Sequence, residues 1–367
     1  MKVHAGVADY KFLMAMVVLF LFGLVILTSA SSVVASQRFG DSYFFVKRQL
    51  LYGVLPGIIA MYLFAKVDYH LWKRSAMMIF VFMIGGLLLP FLPGIGSTLG
   101  TSAHSWIVMG SFSLQPSEFA KLGSIIFLAA YMSHQGETIT KLKEGFFLTL
   151  GLGMIPIVLV ILQPDIGTVS ILFGILFAML YFGRAKYSHL LMLSLAGVLL
   201  FLVMIWAAPY RAARFTTFLH PELDPQGQGY HINQAFLAIG SGGVFGLGLG
   251  QSRQKFAYLP EVHADSIYAV MAEELGFIGA VGFLFLLVYI AFRGFRIAKH
   301  APDTFGQFLV AGIISWFMIQ SFLNIGAMVG LLPLTGVPLP FVSHGGTALM
   351  VALAGVGIVV NVSKQQV

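Results

Sequence analysis

The sequence predicts an all-α integral membrane protein of about ten transmembrane helices, with one long extracytoplasmic loop between spans seven and eight. Three observations predict it. The 367 residues are 58% hydrophobic, against about 45–50% apolar in ordinary soluble domains, and mean hydropathy is +0.90. Only 10% of residues are charged. The remainder falls into apolar runs, several reaching the ~20 residues that a helix needs to cross a ~30 Å hydrocarbon core. The runs are continuous and do not alternate in ten-residue strands, which argues against an outer-membrane barrel.

Ten spans follow in order, at 12–31, 49–66, 75–94, 117–133, 145–163, 166–183, 188–208, 266–292, 306–330 and 342–362. The first is too long, and lacks the cleavage pattern, for a removable signal peptide. With the N-terminus in the cytoplasm, 13 of the 21 Lys and Arg residues fall on inner segments, and the loops at 95–116 and 331–341 carry none. That asymmetry predicts N-in, C-in. The net charge of +7 is spread over span flanks, so it marks topology and gives no nucleic-acid footprint. There is no cysteine, which excludes disulfides and thiolate chemistry. The chain is expected to form a single membrane domain over 1–367.

The outer loop, about 209–265, is too apolar and too patterned for a disordered linker, and loops of this length usually carry function. Gly229–Ile239 is expected to form an amphipathic helix on the membrane surface. The glycines of Ser241–Gln251 have two readings. Their amides approach a phosphate, or they form a turn packed against helix ends. No strand precedes them and no Gly-Lys-Ser/Thr follows, so they are neither a dinucleotide fingerprint nor a Walker loop.

Three motifs place a proline and a carboxylate at the start of a span, and the topology puts all three on the outer side. They are Gln115-Pro116-Ser117-Glu118, Gln163-Pro164-Asp165 and Leu259-Pro260-Glu261-Val262-His263-Ala264-Asp265. Helix capping accounts for Asp165 and Asp265 without chemistry. The alternative is a polar basin. Glu118 and Lys121 are three apart and share a helix face. Asp265, kept ionised by a helix terminus and nearby cations, would accept a proton from a hydroxyl. Arg211, Arg214, Arg253 and Lys255 would hold a phosphate leaving group, or simply face solvent and lipid headgroups. Glu273 and Glu274 lie inside span eight beside Gly276, as a hinge or a proton path. Glu261, His263 and Asp265 are the one candidate set for a metal.

These motifs together resemble the SEDS family, the shape, elongation, division and sporulation proteins of bacteria. The similarity covers essentially the whole chain, through Gln115–Lys121, Gln163–Thr168, Gly229–Gly250, Lys255–Gly276 and Leu334–Thr347. The stretch Lys255–Glu261 looks more like the division-type members than the elongation-type ones. The resemblance implies a peptidoglycan glycosyltransferase that polymerises lipid II and releases undecaprenyl pyrophosphate. It implies Asp265 as the catalytic residue, with Glu118, Lys121 and Asp165 as further polar positions beside the substrate. With the basin reading this gives a substrate-binding set of Glu118, Lys121, Asp165, Arg211, Arg214, Lys255 and His263. The partners implied are lipid II, a class B penicillin-binding protein, other divisome membrane proteins and the membrane itself. No cofactor is required by the motifs; a divalent cation, Mg²⁺ or Mn²⁺, is left open for the pyrophosphate. The sequence departs from the family pattern in places. Thr101–Ser105 stands where Asn-Gly-Ala-Arg-Arg is common, Ala264-Asp265-Ser266 where Thr-Asp-Phe is frequent, and Ser343-His344-Gly345-Gly346 where Ser-Tyr-Gly-Gly is usual. Two rivals to the polymerase remain at this point, a lipid II flippase and a non-catalytic scaffold.

Overall fold

In the computed structural model the described residues are 6–94, 96–97, 105–109, 112–206, 209–256 and 259–366. The Thr101–His104 departure therefore lies outside them. The helices are α1 (Tyr10–Phe39), α2 (Phe44–Gln49), α3 (Leu55–Lys66), α4 (His70–Arg74), α5 (Ala76–Leu88), α6 (Pro116–Gln135), α7 (Phe147–Leu162), α8 (Ile166–Phe182), α9 (Tyr187–Trp206), α10 (Pro209–Leu219), α11 (Gln228–Ser241), α12 (Ile267–Lys299), α13 (Thr304–Met328) and α14 (Gly346–Ser363). Each of the ten expected spans coincides with a helix. Six helical stretches (10–39, 44–66, 142–162, 267–299, 304–328 and 346–363) are long and apolar enough to cross a membrane. Shorter apolar helices cover 76–91, 166–182 and 187–200.

Local chemistry sets many of the ends. The Asp9 carboxylate caps α1 by accepting from the Phe12 amide at 2.9 Å, and Gly40 ends that helix in a left-handed conformation at φ 69°. Asp303 caps α13 through the Gly306 amide at 2.8 Å. Between α2 and α3 the chain makes a π-helical turn, Leu50–Val54, just ahead of Pro56. A proline lacks the N–H for an i→i−4 bond, and a widened turn accommodates that loss.

The helices sort by burial. Long stretches of α6, α13 and α14 are enclosed on every side. By contrast, α3, α5 and α9 leave large apolar side chains on the outer surface, among them Ile59, Leu63, Phe82, Leu195 and Leu199. An apolar belt of this kind is stable only in contact with lipid. Small residues bring α3 and α14 together: a Cβ on Gly57 would meet the Leu353 side chain at 2.6 Å, and one on Gly357 the Met61 carbonyl at 2.4 Å.

Three findings go beyond the expectation. A small antiparallel sheet, β1 (Gly96–Ser97), β2 (Trp106–Met109) and β3 (Phe112–Leu114), lies between α5 and α6 in sequence. The last span begins at Gly346, so Ser343 and His344 lie in the preceding loop. The long 209–265 segment holds two helices, α10 and α11, and α11 contains the whole of the expected amphipathic stretch.

The glycine-rich segment after α11 is built into α12. Gly276 interrupts that helix at φ 66° and ψ −170°, a conformation essentially confined to glycine. An unbroken helix would join the Glu273 and Glu274 carbonyls to the Phe277 and Ile278 amides. Here those carbonyls accept instead from the Leu247 and Gly248 amides, both at 3.0 Å. The freed Phe277 and Ile278 amides donate to the Gly243 and Val244 carbonyls at 2.9 and 3.2 Å. A Cβ on Gly276 would lie 2.2 Å from the Gly246 nitrogen. The Gly276→Ala variant is therefore expected to lose roughly 1–3 kcal/mol from backbone conformation alone, with the collision added. A thermal melt in detergent, with Gly282→Ala as the open-space control, checks this.

Candidate active site

The two ends of the bundle differ. At one end the chain termini meet: the Gly6 amide bonds the Lys364 carbonyl at 2.9 Å, Asp9 pairs with Arg293, and Tyr69 donates its hydroxyl to Asp303 at 2.9 Å. The opposite end gathers the starts of α6, α8, α12 and α14. The three carboxylate motifs thus share one end of the molecule.

The loop Leu331–Gly345 holds them together. Gln320 and Asn324, one turn apart on α13, reach it from below. Gln320 donates to the Pro338 carbonyl at 2.9 Å. Asn324 donates to both the Val337 and Asp265 carbonyls at 2.8 Å. The Ser343 hydroxyl donates to the Ala264 carbonyl and accepts from the Leu339 amide at 2.8 Å. The His344 amide bonds the His263 carbonyl at 2.8 Å. Gln49 then spans the Ser343 carbonyl and the Gly345 amide, at 3.2 and 2.9 Å. Backbone clamps on both sides therefore fix the segment that carries Asp265. Ser343 and His344 do not form a hydrolytic pair, since the hydroxyl is spent on backbone and the imidazole packs edge-on to Phe45.

Asp265 is partly open at its surface but surrounded by protein atoms. Burial, and then the negative charge of Glu261, raise its carboxyl to about 7. This corrects the expectation of an acid kept ionised by cations. It also corrects the capping reading, because the N-cap of α12 is Ser266 and Asp265 does not cap it. The Ser266 hydroxyl lies 2.6 Å from His231 Nε2, 2.7 Å from the Pro260 carbonyl and 3.4 Å from Asp265 Oδ1. Burial disfavours the charged form of His231 and lowers its basicity.

The other expected contacts fall into different roles. Asp165 is a helix cap: its carboxylate accepts from the Thr168 amide at 3.0 Å and the Thr168 hydroxyl at 2.9 Å. Gln115 joins it at 3.3 Å and so ties the first two motifs together. Glu118 and Lys121 do pair, at 2.7 Å, but both are sealed, with side chains 4% and 1% exposed. Lys121 also donates to Gln320 at 3.0 Å and lies over the Trp316 ring. The void beside Glu118 is about 10 Å³, too small for a sugar. As placed here, the pair supports the loop from within and touches no open groove. Lys255 is likewise taken: it is buried and bonds Glu274 at 2.9 Å and Ser29 at 3.3 Å. Glu273 accepts from the Ser252 hydroxyl and from the Arg253 and Gln254 amides. Both acids of α12 therefore pin the loop. The Gly246, Leu247 and Gly248 amides are spent on backbone carbonyls, so they form the packed turn and not a phosphate cradle. His263 stacks on Phe45 with centroids 4.0 Å apart. Burial lowers its basicity, which disfavours the charged ring that would attract a phosphate. Arg253 stays exposed. The side chains of Arg211 and Arg214 lie outside the described residues. Among the described residues no three His, Asp or Glu side chains converge as a cation site, and Glu261, His263 and Asp265 do not meet as one.

Sequence reasoning missed Gln49, His231, Gln320 and Asn324. The last two had a signal: amide side chains one turn apart in an apolar span are costly unless they have partners. Gln49 and His231 gave none, because their partners are distant in sequence.

The fold and this end together define a polytopic membrane protein with a partly open carboxylate, Asp265, on a clamped segment at the head of a broken helix. Residues 10–367 match the family model of the FtsW, RodA and SpoVE cell cycle proteins. The chain belongs to that family, the SEDS proteins. It is 43% identical over 356 residues to stage V sporulation protein E of Bacillus subtilis, covering 97% of both chains. It is 39% identical over 357 residues to a probable peptidoglycan glycosyltransferase FtsW of Geobacter sp. strain M18, again covering 97% of both. A solved structure described as a peptidoglycan synthase complex coordinating polymerization and crosslinking contains a similar chain. The TM-score is 0.80 at 26% identity, over 97% of both chains. The rod shape determining protein RodA of Thermus thermophilus superposes with a TM-score of 0.72 at 25% identity, over 98% of this chain and 97% of that one.

Proposed function

We propose that this chain is a peptidoglycan glycosyltransferase that polymerises lipid II at the outer face of the cytoplasmic membrane. The observation that carries the reading is Asp265, a partly open carboxylate raised to about 7 on a segment held from both sides. A general base works best with a pKa near the operating pH. The acceptor sugar 4-hydroxyl loses its proton to Asp265 as its oxygen attacks the anomeric carbon of a second lipid-linked sugar. The bond from that carbon to the pyrophosphate oxygen breaks, the centre inverts, and undecaprenyl pyrophosphate leaves. Arg253, with Arg211 and Arg214, would receive the pyrophosphate. Among the described residues no His, Asp and Glu cluster gathers that could hold a metal ion; a divalent cation accompanying the pyrophosphate would add counter-charge to the leaving group.

The membrane orientation proposed is N-in, C-in. The lysine and arginine bias supports it, as does the meeting of both termini at the end opposite Asp265. The septum is the proposed site of action, with a class B penicillin-binding protein as the crosslinking partner, in keeping with the FtsW relatives and the synthase complex. One observation favours a second reading: identity to the sporulation protein is higher than to that FtsW, which fits wall synthesis during sporulation.

The test is polymerisation of labelled lipid II in liposomes, with and without the partner. Polymer from wild type supports the enzyme. Movement of lipid II across the bilayer with no polymer supports the flippase, and the absence of both polymer and movement supports the scaffold. The pH profile has a definite sign. Below about 7 the Asp265 carboxyl is protonated and cannot act as base, so the rate is expected to rise with pH through about 7 and then level. Removing the neighbouring negative charge in Glu261→Gln should move that limb to lower pH. A limb unmoved by Glu261→Gln would count against Asp265 as its source.

A further inference from the structure

The end of the bundle opposite Asp265 carries a cavity that the polymerase reading does not use. It is about 320 Å³ and is lined by Asp9, Lys11, Arg293, Arg296, His300 and Gln366. That is about ten times a water molecule's share of liquid volume. Three cations face one carboxylate, and the carboxylate is already committed: one Asp9 oxygen caps α1 and the other pairs with Arg293. Arg293 is nearly buried, with its side chain 14% exposed. Its Nε is fully enclosed and bonds nothing among the described residues. That N–H is out of reach of a molecule in the cavity, so recognition there falls to Lys11, Arg296 and the charge of the Arg293 guanidinium. Lys11 and Arg296 stand exposed at the rim.

Favourable interaction with the α12 helix dipole explains Arg296 and Lys299, which lie in its last turn. It does not explain Arg293, which lies further back, nor the hollow between α1 and α12. His300 Nδ1 is occupied by the Arg296 carbonyl at 2.8 Å, and the Gln366 amide reaches the Ile297 carbonyl at 3.2 Å. What remains directed at the cavity is positive charge with planar donors, the chemistry that recognises phosphate oxygens. The cavity opens at the terminus of a membrane helix, where lipid headgroups lie, and basic pockets between helices at this level bind anionic headgroups.

We propose that this cavity is a phosphate-binding site, occupied by the headgroup of an anionic phospholipid from the leaflet at that end. The proposal is independent of the polymerase reading, and its readout is binding, not turnover. Full-length protein is reconstituted in nanodiscs of phosphatidylcholine with a minor fraction of phosphatidylglycerol, and the lipid retained after detergent extraction is measured by native mass spectrometry. Wild type is expected to retain phosphatidylglycerol above its bulk fraction. Lys11→Gln with Arg296→Gln, both exposed positions, should weaken that retention roughly 30-fold, at about fivefold per cation removed. Lys141→Gln with Lys143→Gln removes the same charge from a different loop and should leave it unchanged. Arg293 itself is left intact in these variants because its pairing with Asp9 joins α1 to α12.

Millimolar inorganic phosphate added before extraction separates the two sources of the same chemistry. Phosphate that fails to displace the lipid supports the headgroup assignment. Phosphate that displaces it and protects the protein against heating, with both effects lost in the Lys11/Arg296 variant, keeps the site but assigns it to soluble phosphoesters. Equal retention of the two lipids by wild type, or equal loss in both double variants, overturns the proposal.

Discussion

Asp265→Asn is expected to reduce lipid II polymerisation by about 10²–10⁴-fold, the usual contribution of a general base, while the protein melts at or above the wild-type temperature. The two halves of that expectation have separate causes. The asparagine keeps the shape but cannot take the acceptor proton. It also removes an acid that burial and Glu261 disfavour in its charged form, so the fold loses nothing at neutral pH. The clamps from Asn324 and Ser343 engage the Asp265 and Ala264 carbonyls, which the substitution leaves in place. Polymer at wild-type rate from a well-folded Asp265→Asn protein would sink the mechanism. A variant that is inactive and also poorly folded would point to a structural role, and Asp265→Ala in the same melt would show it.

The second large effect is on stability. Lys121→Met is expected to cost about 3–5 kcal/mol, because it strands the Glu118 carboxylate in a site with no room for water to replace the lost charge. Lys121 is 1% exposed and holds Glu118 at 2.7 Å. It also donates to the Gln320 oxygen, the same oxygen that accepts from the Trp316 indole at 2.8 Å. The double variant, Glu118→Gln with Lys121→Met, removes both charges and should recover most of the loss. Urea or heat unfolding in a mild detergent measures all three proteins. If the single variant is no less stable than the double, the pair is not acting as a buried ion pair. Because Gln320 also supports the Pro338 carbonyl, the single variant should further loosen the loop that faces Asp265 and lower activity through it.

Much of the fold was readable before any coordinates. Ten apolar runs became ten helices because a membrane leaves the backbone little choice but to satisfy itself within each segment. Asp165 was readable as a cap for a similar reason: its partner, Thr168, is three residues away. The sheet around Trp106 was not readable, since strands of two to four residues carry no period to detect. The fate of Lys255 was hidden as well. Its neighbours in sequence suggest a solvent-facing basic loop, yet its ammonium lies beside Glu274 and Ser29, which come from α12 and α1. Only the folding of the loop against the broken helix brings those three together. The same holds for Glu118 and Lys121: spacing foretold the pair, but not that α13 and Trp316 would close over it.

The junction between the glycine segment and α12 bears on how this protein tolerates change. Four peptide groups on each strand of the junction interlock, and none of the bonds passes through a side chain. Substitutions at Val244, Phe245, Leu247 or Leu249 leave those bonds available. A single-residue deletion or insertion between Gly243 and Gly248 does not, because it shifts every amide past its carbonyl. The segment should therefore drift at its non-glycine positions while keeping a fixed length and its left-handed glycines, Gly246 above all, where a Cβ would lie 2.2 Å from the Glu274 carbonyl; a library of substitutions and single-codon indels would reveal that pattern.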